Sequence, residues 1–206
     1  MSKIYISPST QEANAYSGGG NEEQVMRDLC TRVCGLLVKA GHSVKMGGSI
    51  SPTLNANAAN TWDAAWYIAV HSNAGGGHGT EGFFYTGSVK GKNLCQHVYE
   101  RVAKASNEAD RGIKSNTTFI ELRVPKAPAT LIEIAFHDNL KEATEIKKSL
   151  DEFARAIAVG ICEVAGGVVP PPVPVIPPPP TPTPIPKPTT WRISSQDADT
   201  IVLRKG

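Results

Sequence analysis

The sequence predicts an α/β fold: a three-layer domain with a mainly parallel central sheet flanked by helices, followed by a polyproline linker. Strand-like apolar runs alternate with helical apolar stripes through the first 165 residues, the order that builds parallel sheets covered by helices. Two of the runs, Trp66-Tyr-Ile-Ala-Val70 and Ala129-Thr-Leu-Ile132, lack the polar alternation of a half-exposed strand and suit a sheet buried on both faces. Twelve of the sixteen prolines fall between Pro170 and Pro188, a stretch that can form neither helix nor ladder and reads as an extended spacer. The expected divisions are a folded domain over 1–166, a linker over 167–190, and a short tail or the start of a further module over 191–206.

In chain order, Lys3 to Ser7 reads as a strand. Glu22 to Ala40 reads as a helix with Val25, Met26, Leu29, Val33, Leu36 and Leu37 on one face, ended by Gly41. Ser43 to Met46 is a short strand and Pro52 to Asn60 a short helix. The Trp66 strand leads into His71, and a glycine-rich loop from Ala74 to Gly79 comes next. Glu81 to Tyr85 is a strand, and Ser88 begins a helix to Ala105 with Leu94, Val98 and Val102 inward. The segment from Glu108 to Pro128 reads as irregular, with a short hairpin around Phe119 to Leu122. After the strand that carries Glu133, one helix is expected from Leu140 to Val164, its stripe formed by Ala143, Ile146, Leu150, Phe153, Ile157 and Ile161.

At 206 residues and 40% hydrophobic, the chain can bury one real core with an appendage. Residues 1–165 hold 17 Lys/Arg and 17 Asp/Glu, so the formal charge of +2 sits in the tail and the domain lacks the basic footprint of a nucleic-acid binder. Met1-Ser-Lys-Ile-Tyr-Ile leads straight into a strand without a secretory apolar region, and no run of eighteen apolar residues occurs. The expectation is therefore synthesis in the cytoplasm without a signal peptide and no membrane partner. Cys30, Cys34, Cys95 and Cys162 form no CxxC or zinc-ribbon spacing and read as free thiols in a core.

Two residues point to chemistry. His71 ends an apolar strand, where ligands collect in sheets of this kind. Glu133 places a carboxylate inside another such strand, where an unpaired charge is costly and needs a partner or a task. A carboxylate and an imidazole from neighbouring strand ends are the raw material of a hydrolytic zinc site. Glu22 and Glu23 open the first long helix, where acids also serve simply to complement the helix dipole.

Four blocks in order carry a resemblance: Ile4-Tyr-Ile-Ser-Pro8, Asn21-Glu22-Glu23, Ala69-Val-His71-Ser-Asn-Ala74, and Pro128-Ala-Thr-Leu-Ile-Glu133-Ile-Ala-Phe136. Together with Gly79-Thr-Glu-Gly-Phe-Phe-Tyr-Thr-Gly87, they resemble the zinc-dependent N-acetylmuramoyl-L-alanine amidases of phage endolysins and bacterial cell-wall hydrolases, over Lys3 to Val164. The resemblance implies that Glu22 and His71 bind zinc and that Glu133 is the catalytic carboxylate. It implies a peptidoglycan hydrolase that cuts the amide between N-acetylmuramic acid and L-alanine with a zinc-activated water, made in the cytoplasm and acting on the cell wall after release.

The chain departs from that family at one ligand. Where the family places a histidine after Pro-Gly, this sequence reads Ser7-Pro-Ser-Thr10-Gln11-Glu12. A gap-free alignment puts Thr10 at the position and a one-residue shift puts Gln11 there. Gln11 is the better candidate, because its carbonyl oxygen reaches further and a threonine hydroxyl is a poor zinc ligand; water and His78, in the glycine loop, are the other candidates. His42, His97 and His137 read as structural. Two competing readings stay open: a catalytically weakened or inactive module of the same fold that binds muropeptides, and a cytosolic zinc peptidase with a closed pocket.

Overall fold

Alternation of side chains along three central strands decides the architecture, since successive residues of a strand face opposite sides of a sheet. The computed structural model describes residues 1–48, 51–106, 108–169, 171, 191–197 and 200–205. Its elements run β1 (Lys3–Pro8), α1 (Glu22–Lys39), β2 (Ser43–Met46), α2 (Pro52–Thr61), β3 (Trp66–Asn73), β4 (Thr80–Tyr85), α3 (Val89–Ser106), β5 (Asp110–Asn116), α4 (Ile120–Arg123), β6 (Ala129–Phe136), α5 (Leu140–Lys148), α6 (Leu150–Ala165), β7 (Trp191–Asp197) and β8 (Thr200–Lys205).

Six strands form one sheet in the order β2-β1-β3-β6-β4-β5. β2, β1, β3 and β6 are parallel neighbours; β4 runs antiparallel to β6, and β5 parallel to β4. Ile4, Ile6, Ile68, Val70, Ile132 and Ile134 point to one side and are fully buried in a core shared with α1, α3, α5 and α6. Burying each such aliphatic side chain contributes roughly 1.5–3 kcal/mol, so this face holds the sheet to its helices. Tyr5, Tyr67, Ala69, Ala129 and Leu131 point to the other side, where a smaller cluster includes Ala56 and Ala59 of α2 and Leu122 of α4. The result is the three-layer, mainly parallel arrangement expected, with one thick and one thin helical layer.

Three expectations are corrected. The segment from Glu108 to Pro128 is not irregular: it contributes the edge strand β5, which pairs with β4. The hairpin expected around Phe119 to Leu122 is instead the single helical turn α4. The long terminal helix is two helices. Ser149 leaves helical geometry at φ −111° and ψ 26°, its N–H donating back to the carbonyls of Glu145 and Ile146, so it ends α5 and begins α6. The apolar stripe crosses the break without interruption, and periodicity therefore does not reveal it.

The compact unit runs from Met1 to Pro171, and residues 172–206 form a second unit. Val169, beyond the expected end of the domain, is buried in the main core. Most of the expected proline linker lies outside the described residues. Within the second unit, β7 and β8 pair antiparallel, Trp191 opposite Lys205. All four cysteines are free; Cys30, Cys95 and Cys162 are buried and Cys34 is half-buried. Among the described residues no helix is long and apolar enough to cross a membrane.

Candidate active site

The site lies on the thin face, where strand register sets polar residues side by side. His71 of β3 pairs with Glu133 of β6, which pairs in turn with Glu81 of β4. Just past His71 the pairing slips, so that Asn73 sits opposite Phe136; such bulges bend a strand beside functional sites.

Glu22 arrives from outside the sheet. Gly18, Gly19 and Gly20 all have φ near +80° to +95°, a backbone region that other residues rarely occupy, and they fold the loop after β1 back on itself. Tyr16 anchors that loop by stacking on His137 and donating to Ser72 Oγ at 2.7 Å. Asn21 then caps α1 by accepting from the Gln24 N–H. The two glutamates of the first turn divide. Glu23 pairs with Arg27 at 3.0 Å on the helix surface, whereas Glu22 is fully buried, 3.1 Å from His71 Nδ1 and accepting from the Ser72 N–H.

The expected third donor reaches the same atom. The Gln11 amide lies 3.4 Å from His71 Nδ1, and Asn14 Nδ2 donates both to Gln11 Oε1 at 3.1 Å and to Glu22 Oε2 at 2.7 Å. Gln11, Glu22 and His71 are thus brought together, whereas Thr10 has no contact with them among the hydrogen bonds described, and His78 is exposed in its loop.

Glu133 differs from the acid beside it. Glu81 is held below the ordinary carboxylate range: burial opposes ionisation, but Lys114 and Arg111 pair with it and outweigh that cost. Among the described residues no ion pair to Glu133 is seen. Its Oε2 is sealed from solvent without a hydrogen bond, and burial, reinforced by the charges of Glu22, Glu81 and Glu121, pushes its pKa up to about 7 although His71 pulls the other way.

One residue was missed by sequence reasoning. Glu121 of α4 is buried and accepts from Ser7 Oγ at 2.6 Å and Tyr67 Oη at 2.9 Å; its other oxygen is 2.7 Å from His71 Nε2. Burial disfavours a charged imidazole, yet the carboxylates of Glu121 and Glu22 prevail and push His71 well above its ordinary pKa. The same contacts hold Glu22 and Glu121 below theirs against the cost of burial. The available signal was a lone acid in the apolar run Phe119-Ile-Glu-Leu122, the pattern that singled out Glu133.

Gln11, His71, Phe119, Glu121, Leu131 and Glu133 are among the residues lining a cavity of about 350 Å³. Among the described residues no three His, Cys, Asp or Glu side chains converge as metal ligands, because Glu22 and Glu121 meet opposite edges of the His71 ring. A set that counts the amide does converge. Separations of 3.1 and 3.4 Å from Nδ1 resemble those between ligands about 2.0–2.1 Å from a tetrahedral zinc, but the nearer amide atom is the nitrogen; a half-turn would bring the carbonyl oxygen there at the cost of the bond it accepts from Asn14. With the amide turned in that way, one imidazole, one carboxylate and one amide oxygen would suit a zinc ion.

Comparison with known proteins agrees with this architecture. A family model described as N-acetylmuramoyl-L-alanine amidase matches residues 7–163. The N-acetylmuramoyl-L-alanine amidase CwlM of Bacillus licheniformis is 31% identical over an alignment 169 residues long that covers 78% of this chain and 66% of that protein. The chain thus spans about two thirds of that relative's length. The catalytic domain of CwlV, an N-acetylmuramoyl-L-alanine amidase from Bacillus (Paenibacillus) polymyxa var. colistinus, superposes with a TM-score of 0.71 at 21% identity, covering 79% of this chain and 97% of that one. The catalytic domain of the CD27L endolysin targeting Clostridia difficile superposes at 0.68 and 22% identity, covering 79% and 98%. At those identities the superpositions speak to the fold.

Proposed function

The chain belongs to the N-acetylmuramoyl-L-alanine amidase family, and from that premise we propose that it is a peptidoglycan hydrolase cutting the amide between N-acetylmuramic acid and L-alanine, in the manner of an endolysin acting on the cell wall after release. The observation that carries the reading is Glu133: a carboxylate with a solvent-sealed, unpartnered oxygen in the cavity that His71 lines, with a pKa of about 7. A general base works best when its pKa lies near the operating pH, and a carboxylate with nothing else to bond is free to take and return a proton.

We propose Gln11, Glu22 and His71 Nδ1 as the zinc ligands. When bound, zinc would supply Lewis-acid polarisation and a lower pKa for water. The proton transfers fall to this chain's own residues. Glu133 takes a proton from water as the water oxygen attacks the carbonyl carbon of the lactyl amide. It returns that proton to the alanine nitrogen as the C–N bond breaks, leaving a carboxylic acid and a free amine. Glu81, tied to Lys114 and Arg111, stays ionised beside it and helps to keep the Glu133 pKa high.

Release of new α-amino groups from purified cell walls tests the reading, with metal content measured on the same protein by mass spectrometry. Zinc and amine release together are expected. One observation favours the rival reading, a muropeptide-binding module of the same fold: the third donor is an amide, a weaker zinc ligand than imidazole. Sedimentation of the protein with walls, without amine release and without metal, would establish that rival.

A further inference from the structure

Glu121 stands outside the proposed ligand set and the proton-transfer step, yet it is among the most tightly held acids of the domain. Both hydroxyls on its Oε1 come from central strands, Ser7 on β1 and Tyr67 on β3, so the carboxylate is referenced to the sheet rather than to its own short helix. Its Oε2 faces His71 Nε2 at 2.7 Å, on the edge of the ring opposite Glu22 and Gln11. A carboxylate can only accept, so Nε2 carries hydrogen toward Glu121; Nδ1, which faces Glu22, is the nitrogen whose proton a metal would displace, leaving its lone pair for the metal while Nε2–H stays on Glu121.

We propose that Glu121 is a positioning residue: it fixes His71 in the Nε2–H tautomer, aims Nδ1 at the point where Glu22 and Gln11 converge, and strengthens Nδ1 as a donor. The proposal rests on the zinc reading above and gives it a physical compensation. An amide in place of an imidazole weakens the metal site, while a second buried charge behind the remaining imidazole strengthens it again. Outer carboxylates of this kind orient the ring and raise ligand basicity.

The test is zinc affinity by chelator competition at one fixed pH, on full-length wild type, Glu121→Gln and Tyr67→Phe, with the melting temperature of each metal-free protein. Glutamine keeps the size and an acceptor but lacks the charge, and its amide can donate to a bare Nε2 as readily as it accepts, so the tautomer is released. Glu121→Gln should weaken zinc by about 10- to 100-fold. Tyr67→Phe removes one of the two bonds on Oε1 and should weaken it by a smaller factor in the same direction. Nitrogen-15 spectra of the zinc-loaded proteins should show Nε2–H strongly hydrogen-bonded in wild type and its resonance moved in Glu121→Gln.

A purely structural role would lower the melting temperature and leave the affinity and the Nε2 resonance alone. Zinc binding within about threefold of wild type in folded Glu121→Gln would overturn the proposal. If that variant does not fold, unchanged affinity in Tyr67→Phe overturns it instead. Wild type that binds no zinc would remove the metal reading itself, and this proposal with it; wild type that binds while the variants are indifferent removes only the role of Glu121.

Discussion

The two faces of the sheet obey different rules although they are built from the same strands. Along β3, Ile68 and Val70 enter the thick layer, while Tyr67, Ala69 and His71 face the thin one. The thick face is closed by four helices and is almost wholly aliphatic. The thin face, covered by α2 and the single turn of α4, carries Ser7, His71 and Glu133, with Glu121 reaching in from α4. Stability is concentrated where side chains are apolar and helical cover is complete. The other side can then hold a polar groove whose groups bond one another rather than a protein core.

The sharpest break of that comparison is at Glu133. Glu133→Ala should lower amine release from cell walls by about 100- to 10,000-fold, the usual contribution of a positioned acid or base, while leaving the fold intact. Its Oε2 has no hydrogen bond to lose. Residual activity within about threefold of wild type would exclude the role. Stability should move the opposite way in the metal-free protein. The folded-state pKa is raised from 4.5 to about 7, so the ionised form is disfavoured in the folded state at alkaline pH, and the penalty fades as pH falls through 7 toward the unfolded value. Glu133→Gln should therefore melt above wild type at pH 8, the gap closing toward pH 5. Glu133→Gln melting below wild type at pH 8 would mean the carboxylate is stabilising after all.

The thick face responds to volume rather than charge. Gly160 of α6 crosses α3 so closely that an added Cβ would lie 2.6 Å from Val98 Cα and 2.7 Å from the His97 carbonyl oxygen. Helix propensity alone favours alanine by about 1 kcal/mol, but overpacking against backbone costs about 1–3 kcal/mol and wins. Gly160→Ala should lower the melting temperature by roughly 2–8 °C with turnover per folded molecule unchanged. An increase in melting temperature would show that the two helices can separate freely.

How much of each face was legible depends on the same contrast. The thick face announces itself through periodicity: the stripes of α1, α3 and α6 and the runs around Trp66 and Leu131 need no tertiary information. β5 escaped because Asp110-Arg-Gly-Ile-Lys-Ser-Asn116 is polar, lies at a sheet edge and has little to bury. The site was half legible. Glu133 stood out as an acid in a buried strand, and His71 and Glu22 through an ordered set of motifs. Glu121 gives no periodic signal, since a one-turn helix has none, and its importance rests on Ser7 and Tyr67, distant in sequence and adjacent only in the sheet. The division of labour between Glu22 and Glu23 is likewise set by the loop that delivers them.

Ligand exchange on the thin face should be gentler. Gln11→His replaces an amide with an imidazole at a position already 3.4 Å from His71 Nδ1, and should tighten zinc by about tenfold or more in chelator competition. Thr10→His should not tighten it. Should the Thr10 variant respond and the Gln11 variant not, the donor is one residue earlier; should neither respond, the metal is held elsewhere or not at all.

The last effect belongs to the C-terminal end of the compact unit. The compact unit reaches Pro171, and the last few residues contribute to it: His42 Nε2 bonds the Gly166 carbonyl at 2.7 Å, and Val169 is buried in the main core. Ending the chain after Gly166 forfeits Val169. At roughly 25 cal/mol per Å² of apolar surface this is about 1–2 kcal/mol, and the melting temperature should fall by about 2–8 °C. Ending it after Pro171 keeps Val169 and removes only residues 172–206, which open with a proline-rich stretch whose composition favours an extended spacer with little apolar burial. That chain should melt within about 2 °C of full length. Two cuts five residues apart therefore separate packing from tether: equal losses would mean that residues beyond Pro171 add stability of their own, and no loss from either would mean that Val169 fills its site without holding it.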